Sequence, residues 1–168
     1  MNHLFDLSHK TIVLQRNEFL NVEACIDTNV YFIERGSVKV FVMEADNEQI
    51  IRFGYQNNII VYLDSFLSNQ PSVFYIQAIK KTIVRMIKKQ QLLTFIEYEE
   101  NKKWWMSLLE NMLLQQLERE IDILTTSPKD RYERVLARSP QLFQEIPNRY
   151  IANYLRMSAE TLSRLKKS

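Results

Sequence analysis

The chain is poor in the residues that punctuate and staple small folds. Its 168 residues include two glycines, Gly36 and Gly54, four prolines, two histidines and one cysteine, Cys25. A single cysteine excludes an internal disulfide framework and the spaced thiols of a zinc or iron–sulfur site. The apolar flanks of Cys25 point to a buried structural thiol. His3 and His9 stand without carboxylate or cysteine company, so they read as surface residues rather than metal ligands or catalytic bases. No stretch reaches the roughly 18 apolar residues of a membrane span. The N-terminal segment MNHLFDLSHK lacks the apolar core of a signal peptide, and a cytoplasmic protein is expected. Nothing pairs a nucleophile with a base or forms a Gly-rich phosphate loop, so no enzymatic activity and no cofactor are expected.

What is present is 46% apolar content, enough to bury a core in one domain or two small ones. In Ser37–Met43, Val38, Val40 and Val42 alternate with Ser37, Lys39 and Phe41, the period of a strand with one buried face. Short apolar runs recur at Thr11–Leu14, Val30–Ile33, Gln49–Phe53, Ile59–Leu63, Val73–Ile79 and Thr82–Ile87. Clusters of Asn, Asp, Ser and Pro separate them, at Asp27-Thr28-Asn29, Asp46-Asn47, Gln56-Asn57-Asn58 and Ser68-Asn69-Gln70-Pro71. Strands at this spacing predict a small antiparallel barrel or sandwich over residues 1–90.

From about Gln90 to Leu124 no glycine or proline interrupts, and Trp105, Leu109, Leu113, Leu117, Ile121 and Leu124 recur at steps of four and three. Leu108 and Met112 widen the stripe. A helix of about 25 residues would be about 37 Å long, more than a small barrel needs. Its stripe could pack on the barrel, pair with the same helix of a second chain, or do both; the heptad seam is only partial. A dimerisation helix and hinge over residues 91–126 are expected, with Thr125-Thr126-Ser127 as the hinge.

Residues 127–168 read as a helical domain. Ser127-Pro128-Lys129-Asp130 supplies a cap, a first-turn proline and an acid close to a capping box. Tyr132, Val135 and Leu136 then make one helix face, and Ser139-Pro140 opens a short helix bearing Leu142 and Phe143. In 146–167 two short helices follow. Ile151, Ala152 and Leu155 lie on one face of the first, Met157 sits at the turn, and Leu162 and Leu165 lie on one face of the second. Ala152 allows a close crossing, Ser158 suits the cap of the second helix, and Pro147 suits the first turn of the first. Outward on the second helix are Ala159, Glu160, Ser163, Arg164 and Lys167, with Thr161 beside them, residue types that contact base edges and phosphates.

A helix pair of this kind also forms cores that never meet DNA. Charge favours the DNA reading: residues 128–168 carry nine Lys and Arg against four Asp and Glu, a net +5, while residues 1–127 carry thirteen against sixteen, a net −3. The rival is a ligand-sensing or protein-interaction module whose C-terminal helices dock a partner protein; it requires an apolar rather than basic exposed face.

The order barrel, long helix, hinge and basic helical domain resembles the cyclic-AMP receptor/fumarate–nitrate regulator family of bacterial transcription factors, in the short form similar to those of Bacteroidetes. PKDRYERVLARSPQLFQEIPNRYIANYLRMSAETLSRLKK at 128–167 carries the resemblance, with VYFIERGSVKVF at 30–41 similar to a strand–turn–strand of the cyclic-nucleotide-binding barrel. The fold implied is α+β: a cyclic-nucleotide-binding-like antiparallel β-barrel of jelly-roll type, a long dimerisation helix and a C-terminal helix-turn-helix domain. The resemblance implies that Glu160 and Arg164 contact bases, and that Thr161, Asn148 and Arg149 contact phosphates. Arg164 could donate twice to a guanine and Glu160 accept from a cytosine amino group; Lys166 and Lys167 suit phosphates, and Ser158 opens the helix.

The departures concern both ends. Relatives that bind cyclic AMP use a glycine-flanked Glu for the ribose and an Arg-Ser pair for the phosphate. Here Val61 and Tyr62 fall on the first pair, Ser72 and Val73 on the second, and no arginine occurs between Arg52 and Arg85. A buried phosphate without a cation or glycine-rich cradle faces a large desolvation cost, so no ordinary cyclic AMP binding is expected. Tyr62, Phe66 and Phe74 either fill that pocket as core or line it for a less anionic ligand. Haem and iron–sulfur versions of the family need ligands this sequence does not offer. Arg156 stands where such turns often have glycine, and a left-handed backbone there costs about 1 kcal/mol. With Ser168 directly after the last helix, a β-hairpin wing would lack its second half. The expectation is a homodimeric, sequence-specific regulator that binds double-stranded DNA and not membranes, its small-molecule effector unknown.

Overall fold

The alternating segments become seven strands among the described residues, which in this computed structural model are 7, 8, 10–21 and 25–167. His3 and His9 lie outside them. The chain divides into two compact units, Met1–Glu97 and Tyr98–Ser168.

In the first unit β1 (Lys10–Leu14), β7 (Thr82–Ile87), β2 (Val30–Arg35) and β5 (Ile59–Val61) lie side by side in that order, and β4 (Asn47–Tyr55), β3 (Ser37–Glu44) and β6 (Tyr75–Ala78) form a second sheet. All neighbours are antiparallel. Inward residues of both sheets meet in one core of Tyr31, Ile33, Val38, Val40, Ile60, Tyr62, Ile76 and Val84. Each aliphatic side chain fully buried there, such as Ile33 and Ile76, contributes about 1.5–3 kcal/mol of transfer free energy. Of the barrel or sandwich expected, the described residues show two facing sheets that no ladder joins, so the jelly-roll barrel is corrected to sheets that do not close. β4 and β5 are consecutive yet belong to different sheets, and β5 ends after three residues.

That early end is a second correction. The run Ile59–Leu63 is strand only to Val61, because the chain turns into helix α1 (Leu63–Ser68). Likewise the strand anticipated over Val73–Ile79 shortens to Tyr75–Ala78, since residues 72–74 are held by side chains rather than by a ladder. Asn57 and Asn69 adopt left-handed backbone at turns, the role that scarce glycine leaves to asparagine. Gly36 is irreplaceable by geometry: its φ is 102°, and a Cβ would lie 2.6 Å from the Lys81 carbonyl oxygen and from Thr82 Cα. Thr82 closes this turn, accepting from the Ser37 amide at 3.1 Å and donating to the Lys80 carbonyl at 2.7 Å.

The stretch without Gly or Pro from Gln90 holds two helices, α2 (Lys89–Phe95) in the first unit and α3 (Glu99–Leu124) in the second, and α3 has the length expected of the long helix. The absence of Gly and Pro did not keep residues 96–98 helical, because α2 ends there with its own closing bonds from Ile96 and Glu97. At 26 residues α3 is about 39 Å long.

After α3 come α4 (Pro128–Arg138), α5 (Pro140–Glu145), α6 (Asn148–Tyr154) and α7 (Ala159–Leu165). Ser127 caps α4 by accepting from the Asp130 amide, and prolines open α4 and α5. Pro147 is the N-cap of α6 rather than part of its first turn. Val135, Leu142, Ile146, Ile151, Ala152, Leu155 and Leu162 form the buried interior of these helices. Leu113, Leu117, Ile121 and Leu124 of the α3 stripe are exposed, Leu124 at 79%. No helix among the described residues is long and apolar enough to cross a membrane.

Candidate nucleotide segment and nucleic-acid interface

Residues 59–78 enclose a short helix and the loop after it. Val61 is half-buried at the end of β5. Tyr62 is buried in the core with Phe74 against the same cluster. Phe66 is buried on α1, where Lys89 places its ammonium 4.6 Å from the ring centroid and donates to the Phe66 carbonyl. Tyr62 and Phe74 thus share one core cluster, while the Phe66 ring meets the Lys89 ammonium.

Ser72 and Val73 converge on a residue that sequence reasoning passed over. The Asp64 carboxylate accepts from the Ser72 hydroxyl at 2.7 Å and from the Val73 amide at 2.8 Å, and also holds the Ser65 amide at 2.8 Å. Ser72 Oγ in turn accepts from the Phe74 amide at 3.0 Å. The donors at these two positions are occupied by an anion that belongs to the chain itself, while the Val73 side chain points to solvent. Asp64 sits in the first turn of α1, where a carboxylate is favoured; that local signal was available in the sequence.

Behind this loop the interior is polar but satisfied. Asp27, 2% exposed, accepts from Asn21 Nδ2, from the amide and Nδ2 of Asn29, and from the Tyr31 hydroxyl at 2.6 Å. Its amide donates to Ser65 Oγ at 2.9 Å. Burial and then the hydrogen bond to Asp27 push the Tyr31 phenol well above its usual range. Burial and then the negative Asp27 do the same to Tyr62. Cys25, half-buried rather than fully so, has its thiol raised by burial and by Asp27, which opposes thiolate reactivity. The Asp27-Thr28-Asn29 cluster had been legible only as a turn.

The second candidate site is the α6–α7 pair. Ala159, Glu160, Ser163, Arg164, Lys166 and Lys167 are exposed, and Thr161 is half-buried beside them. Ser158 caps α7: its Oγ accepts from the Thr161 amide at 3.1 Å and lies 3.0 Å from the Thr161 hydroxyl. The two helices are tied at this surface by Lys166, which donates to Asn148 Oδ1 at 2.9 Å, so two residues read separately form one pair. Arg149 stacks on the Tyr150 ring, 4.4 Å from its centroid. Arg156 takes the left-handed conformation anticipated at the turn, with φ 55°. One helix face thus presents cations and short polar groups together.

Residues 11–99 match the model of the cyclic nucleotide-binding domain. The chain belongs to that family. Among solved structures, this cyclic nucleotide-binding domain protein is similar to FixK2 from Bradyrhizobium japonicum, with a TM-score of 0.77 at 18% identity over 94% of this chain and 82% of that one. It is similar to a variant of CooA from Carboxydothermus hydrogenoformans, with a TM-score of 0.76 at 14% identity over 98% and 77%. It is also similar to CLP, the c-di-GMP responsive global regulator of Xanthomonas campestris, with a TM-score of 0.68 at 13% identity over 99% and 88%. At such identities the likeness is one of fold. No curated protein sequence matches the chain.

Proposed function

We propose that this protein is a homodimeric, sequence-specific DNA-binding regulator of the Crp/Fnr type that does not respond to cyclic AMP. The observation that carries the reading is the exposed face of α7, where Arg164 stands with Glu160 and Ser163 on a helix anchored by the buried Leu162, with the exposed Lys166 and Lys167 directly after it. A recognition helix needs this division, one face held by packing and the other free for base edges and phosphates. Glu160 and Arg164 read bases; Thr161, Asn148, Arg149, Lys166 and Lys167 meet phosphates. The exposed α3 stripe of Leu113, Leu117, Ile121 and Leu124 suits a second copy of the same helix, which presents two α7 helices to two half-sites.

Insensitivity to cyclic AMP rests on Asp64, which already holds the Ser72 hydroxyl and the Val73 amide. A phosphate brought to these donors would displace a carboxylate or face it, with no arginine between Arg52 and Arg85 to compensate. Tyr62, in the core, fills the place of an acidic ribose ligand. The decisive experiment is selection of bound sites from a random DNA pool with no nucleotide added. Enrichment of a palindrome is expected, and it reports function and two-fold symmetry together; a pool left unenriched overturns the reading. A face for docking a protein partner would be apolar, and this one is charged.

A further inference from the structure

The turn between α6 and α7 is held by two buried arginines from outside the pair. The carbonyl of Tyr154, at the end of α6, accepts from Arg119 Nη2 of α3 at 2.6 Å. Arg119 is 4% exposed, and its guanidinium carbon lies 3.7 Å from the centroid of the Tyr154 ring. Two residues on, the carbonyl of Arg156 accepts from Arg131 Nη2 of α4 at 3.2 Å, at the residue whose backbone is left-handed. Arg131 is itself 7% exposed and also donates to the carbonyl of Thr125, the last cap of α3. One guanidinium thus ties the end of the long helix to the turn of the pair.

A further set of charges fastens the same elements. Asp122 of α3, fully buried, accepts from Arg134 and Arg138 of α4, and both arginines also reach Glu118. Residues 125–127, which look like a free hinge in sequence, are therefore spanned by side chains on both sides.

We propose that Arg119 and Arg131 are positioning residues that fix the direction of α7 relative to α3, so that half-site separation on DNA is set within this unit rather than by an effector. The proposal rests on the DNA-binding reading above for its DNA consequence, and on geometry alone for its structural one. The reason is physical. Rotating the pair away from α3 would take the Tyr154 carbonyl from Arg119 and the Arg156 carbonyl from Arg131, leaving Arg131 its bond to Thr125, and each directed bond lost by a buried guanidinium is costly. Hydrophobic packing around Leu155 and Leu162 tolerates small rotations; directed hydrogen bonds to the Tyr154 and Arg156 carbonyls do not.

The test uses the full chain carrying Cys25→Ser, with spin labels attached at Lys103→Cys on α3 and Ser163→Cys on α7 and diluted with unlabelled protein. A narrow distance distribution is expected for the parent, widening about twofold in Arg119→Gln. Arg119→Lys, which keeps the charge but not the stacked planar fork, is the milder variant and is expected to widen it as well. Unlabelled proteins are then compared on DNA whose half-sites are moved apart one base pair at a time. Arg119→Gln is expected to lose about tenfold discrimination between the best and the neighbouring spacing while binding to a single half-site stays within about twofold. Unchanged distributions in both variants, or a loss on the single half-site that equals the loss on paired sites, would overturn the proposal. If the distributions widen while the parent binds no DNA at any spacing, the positioning role holds and the DNA reading fails.

Discussion

The loop after α1 and the helix α7 are both short polar segments beside an apolar core, yet they spend their hydrogen-bonding groups in opposite directions. In the loop, the hydroxyl of Ser72 and the amide of Val73 turn inward to Asp64, and Asp27 draws in Asn21, Asn29 and Tyr31. On and just after α7, Arg164 and Lys167 remain exposed, while Lys166 is tied to Asn148 across the pair. The contrast teaches that a candidate binding segment is judged by whether its donors are free, more than by which elements surround them. In this protein the free groups lie on the helix pair.

The contrast breaks most sharply through Arg164. Arg164→Ala is expected to lose about 1–3 kcal/mol of discrimination at one base pair per half-site, read by competition between sites differing at single positions. Equal loss on specific and scrambled DNA would remove Arg164 from the base-reading face.

The closed interior of the first unit has an alkaline signature. Tyr31 and Tyr62 both have phenols raised above their unfolded range. A raised folded pKa means that their contribution to stability is intact below the ordinary phenol value of about 10 and declines as pH rises beyond it. Denaturant unfolding followed from pH 9 to 11.5 should show stability falling by up to about 1.4 kcal/mol per pH unit for each tyrosine, and Tyr62→Phe should halve the slope. A profile that is flat, or unaltered in Tyr62→Phe, would show that these phenols ionise as freely as in an unfolded chain.

Smaller effects sharpen the same comparison. Lys167→Ala should weaken all DNA alike and lower the slope of log affinity against log salt by about 1. An unchanged salt slope would take Lys167 off the phosphates. The smallest expected effect is at the loop, where calorimetric titration with cyclic AMP or cyclic GMP should give no micromolar binding; a clear isotherm would mean that Asp64 yields its donors to an outside anion.

Much of the architecture was legible in sequence because it is written locally. The alternation in Ser37–Met43 placed β3, Ser127 and Ser158 marked helix starts that their side chains do cap, and the steps of Leu109, Leu113 and Leu117 marked the long helix. The misreadings were equally local. Leu63 continued an apolar run that looked like strand, although Asp64 and Ser65 start a helix there, and uninterrupted helix formers concealed the break at residues 96–98. Closure of the sheets was not legible, because it depends on which edges meet. At the candidate sites the sequence marked the exposed residues of α7 well, but not Asp64 as the holder of Ser72 and Val73, nor Arg119 and Arg131 as holders of the helix pair.

The sequence by itself determined which segments alternate, which coil, where helices are capped, and that positive charge gathers in the last third. Those properties depend on neighbours within about four residues, where backbone geometry alone brings side chains together. Only the tertiary structure decided which polar groups are consumed and which remain free. Asp27 meets Ser65 across 38 residues and Arg119 meets Tyr154 across 35, and no periodicity couples positions so far apart. Burial then made those meetings obligatory, since an amide or a charge withdrawn from water must find its partner wherever the fold places one.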